Sequence, residues 1–378
     1  MKKAIIYSAA LAALLACASC AKKAAISGHL DGLSGDSLKV EFFDITGGRE
    51  PVASFVIPAA GGDFILDYVD TVARRVRIAE AGQTEAGPSS LVYVPGENAV
   101  ISGRLDSLVV DGSNFFKEQK AYEALCKDDV DRMSAIVNEY REAAAAGLEE
   151  KADSIRGLYD EVAGHITELT KGFVKDNPAS LYSAMLVSRL IGEDGKDALE
   201  ALEAMPEKVR NGVLKPLIDR TAKNAEKAKA RAEAAEKVKD GMQAPDFTLK
   251  NPAGEDFTLS SIYDKGQYII LDFWGKWCYW CVKGIPDMKQ LYKDAKGKIE
   301  IVSVDCRDTE EVWKAAIDEY ELPWLHVYNP GEPTDLAITY AIQGYPTKII
   351  LNPDGTINRT IVGEDPEFYT YVRDLIKK

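Results

Sequence analysis

Residues 267–274, QYIILDFW, form an apolar run with almost no alternation, and GKWCYWC follows directly. A strand of this kind is covered on both faces, so it belongs in a sheet packed between helices. The run ends at Gly275, and Cys278 and Cys281 stand three positions apart where a helical pattern begins. A strand, a turn and a helix must therefore meet at a pair of thiols.

Three readings of that pair compete. A zinc site normally needs four ligands. No second C-x-x-C exists, and His29, His165 and His326 are scattered and isolated, so no metal is expected. Residues three apart on a first helical turn lie close enough to close a disulfide. The first thiol would sit at the positive end of the helix dipole, which lowers its pKa. The second would lie deeper and less exposed. One nucleophile and one resolving thiol is what thiol–disulfide exchange requires. A purely structural disulfide in the same place is the remaining alternative.

The chain changes character twice. Residues 25–112 hold short β-branched runs separated by Gly, Pro, Asn and Asp, such as SLKVEFFDI, ARRVRIAE and NAVISGRL. Five to seven strands at that spacing predict an all-β sandwich or barrel-like domain. Residues 113–238 take a helical period: Leu158, Val162, Ile166, Leu169 and Phe173 line one predicted face. RTAKNAEKAKARAEAAEKVKDG carries almost no large apolar residues and is expected to be an exposed helical connector. From 239 to 378 strands and helices alternate and finish in a hairpin around NPDG and a last helix, which predicts a mixed α/β sheet. The glycine pairs at 47–48 and 61–62 lack the strand-loop-helix context of a phosphate loop, and no cofactor is expected.

The C-terminal 140 residues resemble the thioredoxin superfamily, in particular its extracytoplasmic ResA/TlpA-type thiol–disulfide oxidoreductases. APDFTL is similar to that branch's opening, DFWGKWCYWC to its active-site segment, and GYPTKII to its cis-proline loop. Pro286 matches the proline that kinks the active-site helix. The resemblance implies a thioredoxin-like fold with a redox-active Cys278–Cys281 disulfide. It also implies Asp272 as the buried carboxylate that takes a proton from Cys281, and Pro346 as the cis-proline facing the disulfide. Trp277, Tyr279, Trp280 and Tyr345 become candidate substrate contacts, though plain packing around the motif is an equal reading for the dipeptide Tyr279-Trp280. The family commonly has Pro before the second cysteine, where this chain has Trp280, so redox poise does not carry over. No histidine separates the cysteines, and a reductant or intermediate poise is expected in preference to a strong oxidant.

Residues 1–20 begin with Lys2 and Lys3 and continue AIIYSAALAALLA, a secretory signal too short to span a bilayer. LLACASC resembles a lipoprotein lipobox, with Cys17 the better acceptor and Cys20 the alternative; a plain cleaved signal is the third reading. The implied place is the periplasm, anchored by lipid to the cell envelope. Partners would be protein thiol or disulfide substrates and a membrane-bound electron donor, in cytochrome c maturation or in general thiol repair. A formal net charge of −14 argues against nucleic acid.

Two rival functions share these features. APDFTL also resembles AhpC/TSA-type peroxidases, whose P-x-x-x-T-x-x-C motif would place Pro at Leu271 and Thr at Gly275. A non-enzymatic envelope-binding lipoprotein with a vestigial dithiol is the other.

Overall fold

The structure is a computed structural model and describes residues 25–82, 89–332 and 335–377. The signal segment, with Cys17 and Cys20, lies outside the described residues. No helix among the described residues is long and apolar enough to cross a membrane.

Among the described residues eight strands come first: β1 (Ile26–His29), β2 (Ser37–Asp44), β3 (Ala53–Pro58), β4 (Asp63–Leu66), β5 (Arg74–Glu80), β6 (Ser89–Tyr93), β7 (Ala99–Arg104) and β8 (Ser107–Gly112). They form two four-stranded sheets, ordered β4-β1-β7-β8 and β3-β2-β5-β6. All pairings are antiparallel except β1 with β7. On β2 the alternating Leu38, Val40 and Phe42 are fully buried, as a half-covered strand requires. Glu41, between them, is also buried, and Lys39 and Arg77 neutralise it.

The helical stretch holds α1 (Asn114–Ala145), α2 (Glu149–Asp176), α3 (Leu181–Leu186), α4 (Lys196–Ala204), α5 (Glu207–Arg210) and α6 (Lys215–Ala235). Ile136, Ala143, Ala152, Ile155 and Val162 make the core between α1 and α2. The expected face of α2 holds at Val162 and Ile166 and departs at the start of the helix, where Leu158 is 40% exposed and Ile155 takes the buried position. The expectation of a bare exposed helix also needs correction for α6. Thr221, Ala225 and Ala228 are buried, and a Cβ at Gly195 would lie 2.1 Å from the Ala225 carbonyl oxygen. Small residues bury a helix face by close backbone approach, which a count of large apolar residues misses.

The remaining elements are β9 (Thr248–Lys250), β10 (Asp256–Thr258), β11 (Tyr268–Trp274), α7 (Tyr279–Asp294), β12 (Ile299–Cys306), α8 (Glu310–Glu319), β13 (Leu325–Asn329), α9 (Leu336–Thr339), β14 (Thr347–Leu351), β15 (Ile357–Val362) and α10 (Pro366–Leu375). One seven-stranded mixed sheet, β10-β9-β13-β12-β11-β14-β15, gathers the strands. β11 runs parallel to β12 and antiparallel to β14. Its residues Ile269, Leu271 and Phe273 join one core; Ile270 and Trp274 join another with α7, α8 and α10. Both faces of β11 are covered, and this is the thioredoxin-like α/β fold.

By compactness the chain forms two units. One runs to Met185 and includes Met205–Ile218; the other comprises Leu186–Ala204 and everything from Asp219 on.

Candidate active site

Strand β11 delivers the chain to Gly275, and three residues later Cys278 caps α7. The Cys278 sulfur accepts the Cys281 backbone N–H at 3.2 Å, one of the first-turn donors that a helix leaves unpaired. The two cysteines are joined as a disulfide with their Cα atoms 5.2 Å apart. The turn before them is fixed from both sides. Lys276 donates its backbone N–H to Asp308 at 2.6 Å, and the Trp277 indole donates to the Cys306 carbonyl at 2.7 Å. Gly275 has no space for a side chain: a Cβ there would lie 2.4 Å from the Trp277 indole nitrogen and 2.8 Å from the Cys306 carbonyl oxygen.

One expectation fails in detail. The helix geometry predicts Cys278 as the more exposed thiol, yet in the disulfide Cys278 and Cys281 are 5% and 7% exposed. Both sulfurs in the oxidised pair fold into the core formed by Trp274, Ile285 and Met288. The exposure passes to the neighbours instead: Trp277, Tyr279 and Trp280 are 46%, 69% and 53% exposed. These rings form a rim, with Trp277 edge-on to Tyr345 at 5.2 Å and Tyr279 edge-on to Trp280 at 5.3 Å. Such exposure is the opposite of plain packing around the motif. The Tyr345–Pro346 bond is cis, and Pro346 lines the same small cavity as Cys281.

That cavity, about 10 Å³, lies beneath the disulfide and is also lined by Asp272, Lys348 and Glu364. It has about the space of one water molecule. Asp272 shares a strand face with Ile270 and Trp274, and burial pushes its carboxyl above the ordinary carboxylate range. Two effects oppose the shift: the nearby Lys348 charge, and a hydrogen bond from the Ser303 hydroxyl at 3.0 Å. Ser303 is oriented by the Trp324 indole, which donates to it at 2.9 Å.

Lys348 stands directly opposite Asp272 in the β11–β14 register and is 2% exposed. Its ammonium nonetheless bonds Glu364, at 2.8 Å. Glu364 also accepts from the Tyr369 hydroxyl. A Cβ at Gly284, one turn beyond Cys281, would lie 2.4–2.6 Å from the Glu364 carboxylate. The carboxylate is thus seated flush against the active-site helix because residue 284 has no side chain.

Sequence reasoning brought together Cys278, Cys281, Asp272 and Pro346, and missed Lys348, Glu364, Tyr369, Ser303 and Trp324. Lys348 had a usable signal: a lone lysine in the apolar run TKIIL needs a buried partner. Glu364, in the acidic loop GEDPE, offers no such sign. The two free cysteines among the described residues, Cys126 and Cys306, are buried, and burial pushes the Cys306 thiol up to about 12. Neither is a reactive thiol.

Residues 241–360 match the AhpC/TSA family model. The thiol–disulfide oxidoreductase ResA of Bacillus cereus is 33% identical over 130 residues, which cover 34% of this chain and 73% of that protein. The thioredoxin-like protein YneN of Bacillus subtilis is 34% identical over 130 residues, 33% of this chain and 73% of its own. A solved thioredoxin domain of a thiol-disulfide oxidoreductase from Bacteroides vulgatus is 28% identical, covering 37% of this chain and 99% of that one at a TM-score of 0.34. The threonine of the peroxidase motif has no counterpart here, since position 275 cannot hold a side chain. A C-x-x-C disulfide capping a helix over a buried carboxylate is thiol-exchange machinery, and this chain belongs to the ResA/TlpA-type thiol–disulfide oxidoreductases of the thioredoxin superfamily.

Proposed function

We propose that this enzyme is an exported, lipid-anchored reductant of protein disulfides in the cell envelope. The observation that carries the reading is that Cys281 and a buried carboxylate suited to accept its proton, Asp272, line one small cavity beside the dithiol. In the reduced enzyme the Cys278 thiolate attacks one sulfur of a substrate disulfide, and the other substrate sulfur leaves as a thiolate. Asp272 then takes the Cys281 proton. The Cys281 thiolate attacks the Cys278 sulfur, closes the 278–281 disulfide and releases the second substrate thiolate. Two electrons from a membrane-bound dithiol donor, which closes its own disulfide and gives up its two protons to the released substrate thiolates, then reduce the 278–281 pair, and the Asp272 proton returns to Cys281 to restore the starting state.

The other site residues serve binding. Backbone groups of Tyr345, before Pro346, are suited to pair with an extended peptide. Trp277, Tyr279 and Trp280 offer it an exposed aromatic surface. The signal segment with Cys17, or Cys20, supports export and a lipid tether, with the periplasm as the place of action. The absence of a histidine between the cysteines favours a reductant.

The test is direct. Cys278→Ser should abolish reduction of a protein disulfide, and Cys281→Ser should accumulate the mixed disulfide; retained turnover in Cys278→Ser would refute the assignment. Equilibration of the pair in graded thiol buffers should give a potential near about −270 mV for a reductant, whereas about −120 mV would make it an oxidant.

A further inference from the structure

Within the C-terminal unit a cavity of about 610 Å³ opens beside Tyr345, the residue that precedes the cis-proline. Helix α6 contributes Asn224, Lys227 and Arg231 to its wall, and the turn after β12 contributes Arg307 and Asp308. Two guanidinium groups dominate it. The Arg231 Nε–H is closed off from solvent and has no acceptor among the described residues. Arginine stays charged, and its planar fork of donors fits a carboxylate. A buried donor on a charged group left without an acceptor is costly. Arg307 adopts φ +76°, the left-handed region that non-glycine residues rarely occupy and that concentrates at functional sites. Its guanidinium lies 5.2 Å from the Trp277 ring centre and 5.0 Å from that of Tyr345. It forms no ion pair among the described residues.

The other charges in and around the cavity are already engaged. Lys227 pairs with Glu332 at 2.9 Å. Asp335 caps α9 and accepts from the Asn329 side chain at 3.0 Å, and Asp308 accepts the Lys276 backbone N–H. Asp308 and Asp335 accept from neutral donors, and among the described residues neither Arg231 nor Arg307, next to the backbone segment where the peptide substrate would lie, has a carboxylate partner.

We propose that this cavity is a subsite for an acidic side chain of the disulfide-bearing substrate, held by Arg231 and covered by Arg307. The inference rests on the thiol–disulfide reading above and adds a substrate preference to it. Arg231 supplies the buried, unpartnered Nε–H, and with its neighbouring terminal N–H it has the fork that a bidentate pair with a carboxylate uses. Arg307, stacked on the rim rings, lies between that cavity and the exposed Trp277. The substrate class is thus a protein or peptide with Asp or Glu close to its disulfide.

The reduced full chain should be offered two synthetic peptides, each carrying one cysteine in mixed disulfide with a chromogenic aryl thiol. Glu flanks the cysteine in the first peptide and Gln in the second. At about 20 mM salt the Glu peptide should be reduced roughly tenfold faster, and at about 500 mM the rates should converge as the charges are screened. Arg231→Gln should bring the ratio of rates close to one; Arg307→Gln is an independent second variant should the first not fold. A ratio cancels any change in dithiol reactivity. Equal rates in the unaltered chain, preference for the Gln peptide, or a ratio untouched by both variants would overturn the proposal. A Glu peptide with Ser in place of Cys, titrated against tryptophan fluorescence, separates the two claims. If neither disulfide peptide is reduced but this one binds with dependence on Arg231, the oxidoreductase reading fails and the subsite stands. Absence of binding overturns the subsite.

Discussion

Burial holds the Asp272 carboxyl above the ordinary carboxylate range, and Lys348, which faces it across the sheet and opposes that shift, is bonded to Glu364 instead of to Asp272. A carboxylate paired directly with the ammonium would hold its charge and accept a proton poorly. Glu364→Gln should release Lys348 to act on Asp272 and move the pH profile of disulfide reduction toward lower pH; an unmoved profile would show that the two pairs are independent. Asp272→Asn should instead slow closure of the 278–281 disulfide and flatten the rise of rate with pH. The linked stability effect has a definite sign. With its folded pKa raised, Asp272 binds more protons in the folded chain than in the unfolded one, so stability falls as pH climbs above the ordinary carboxylate range. Asp272→Asn should therefore raise the melting temperature at pH 8 and change it little at pH 3.5. Asp305 is a second case of the same kind. Both of its oxygens are buried without a hydrogen-bond partner among the described residues, and burial, with repulsion from Asp308, pushes it up to about 8. Its contribution to stability is lost progressively between about pH 4 and pH 8, and Asp305→Asn should recover it, as thermal melts across that range would reveal. The thiols, Asp272 and Pro346 were legible in the sequence because local spacing encodes them. Lys348 is two residues beyond Pro346, but its meaning depends on Glu364, which tertiary folding alone supplies.

At the scale of elements, α7 is held in place by two absences of side chain. Gly275 admits the Trp277 indole over the turn, and Gly284 admits the Glu364 carboxylate against the helix. Gly284→Ala would ordinarily favour a helix by roughly 0.5–1 kcal/mol. Here the added methyl must displace Glu364 from Lys348, and the expected net effect is a loss of about 1–3 kcal/mol, seen as a lower urea midpoint. A stabilised variant would mean that Glu364 moves away at no cost. Sequence patterning finds the elements with a strong signal: β2 by its alternation, β11 by its unbroken apolar run. The three-residue β9 and β10 carry no detectable alternation, and β13 interrupts its apolar run with His326. On α2 the buried side is legible at Val162 and Ile166, and only at the start of the helix do Ala152 and Ile155 take the place of Leu158.

For the whole molecule, composition and compactness put the start of the catalytic unit at different residues. Sequence composition places the start at residue 239, after a charged helix expected to be bare. Compactness instead groups Leu186–Ala204 and the chain from Asp219 on with the seven-stranded sheet. Within that group Gly195 packs its backbone onto Ala225, and Lys223 and Lys227 both pair with Glu332 at 3.1 and 2.9 Å. Exposed ion pairs of this sort add little, so α6 is held chiefly by its small buried residues and their close backbone contact. A fragment of residues 239–378 retains every strand of the sheet and both of its cores, and it should fold and reduce disulfides. Against a fragment of residues 186–378 it should melt lower, by roughly 4 °C for each kcal/mol of lost packing. It should also lose any preference for the acidic peptide, because Arg231 is gone while Cys278, Cys281 and Asp272 remain. Equal melting temperatures would return the boundary to residue 239 and make α6 a tether.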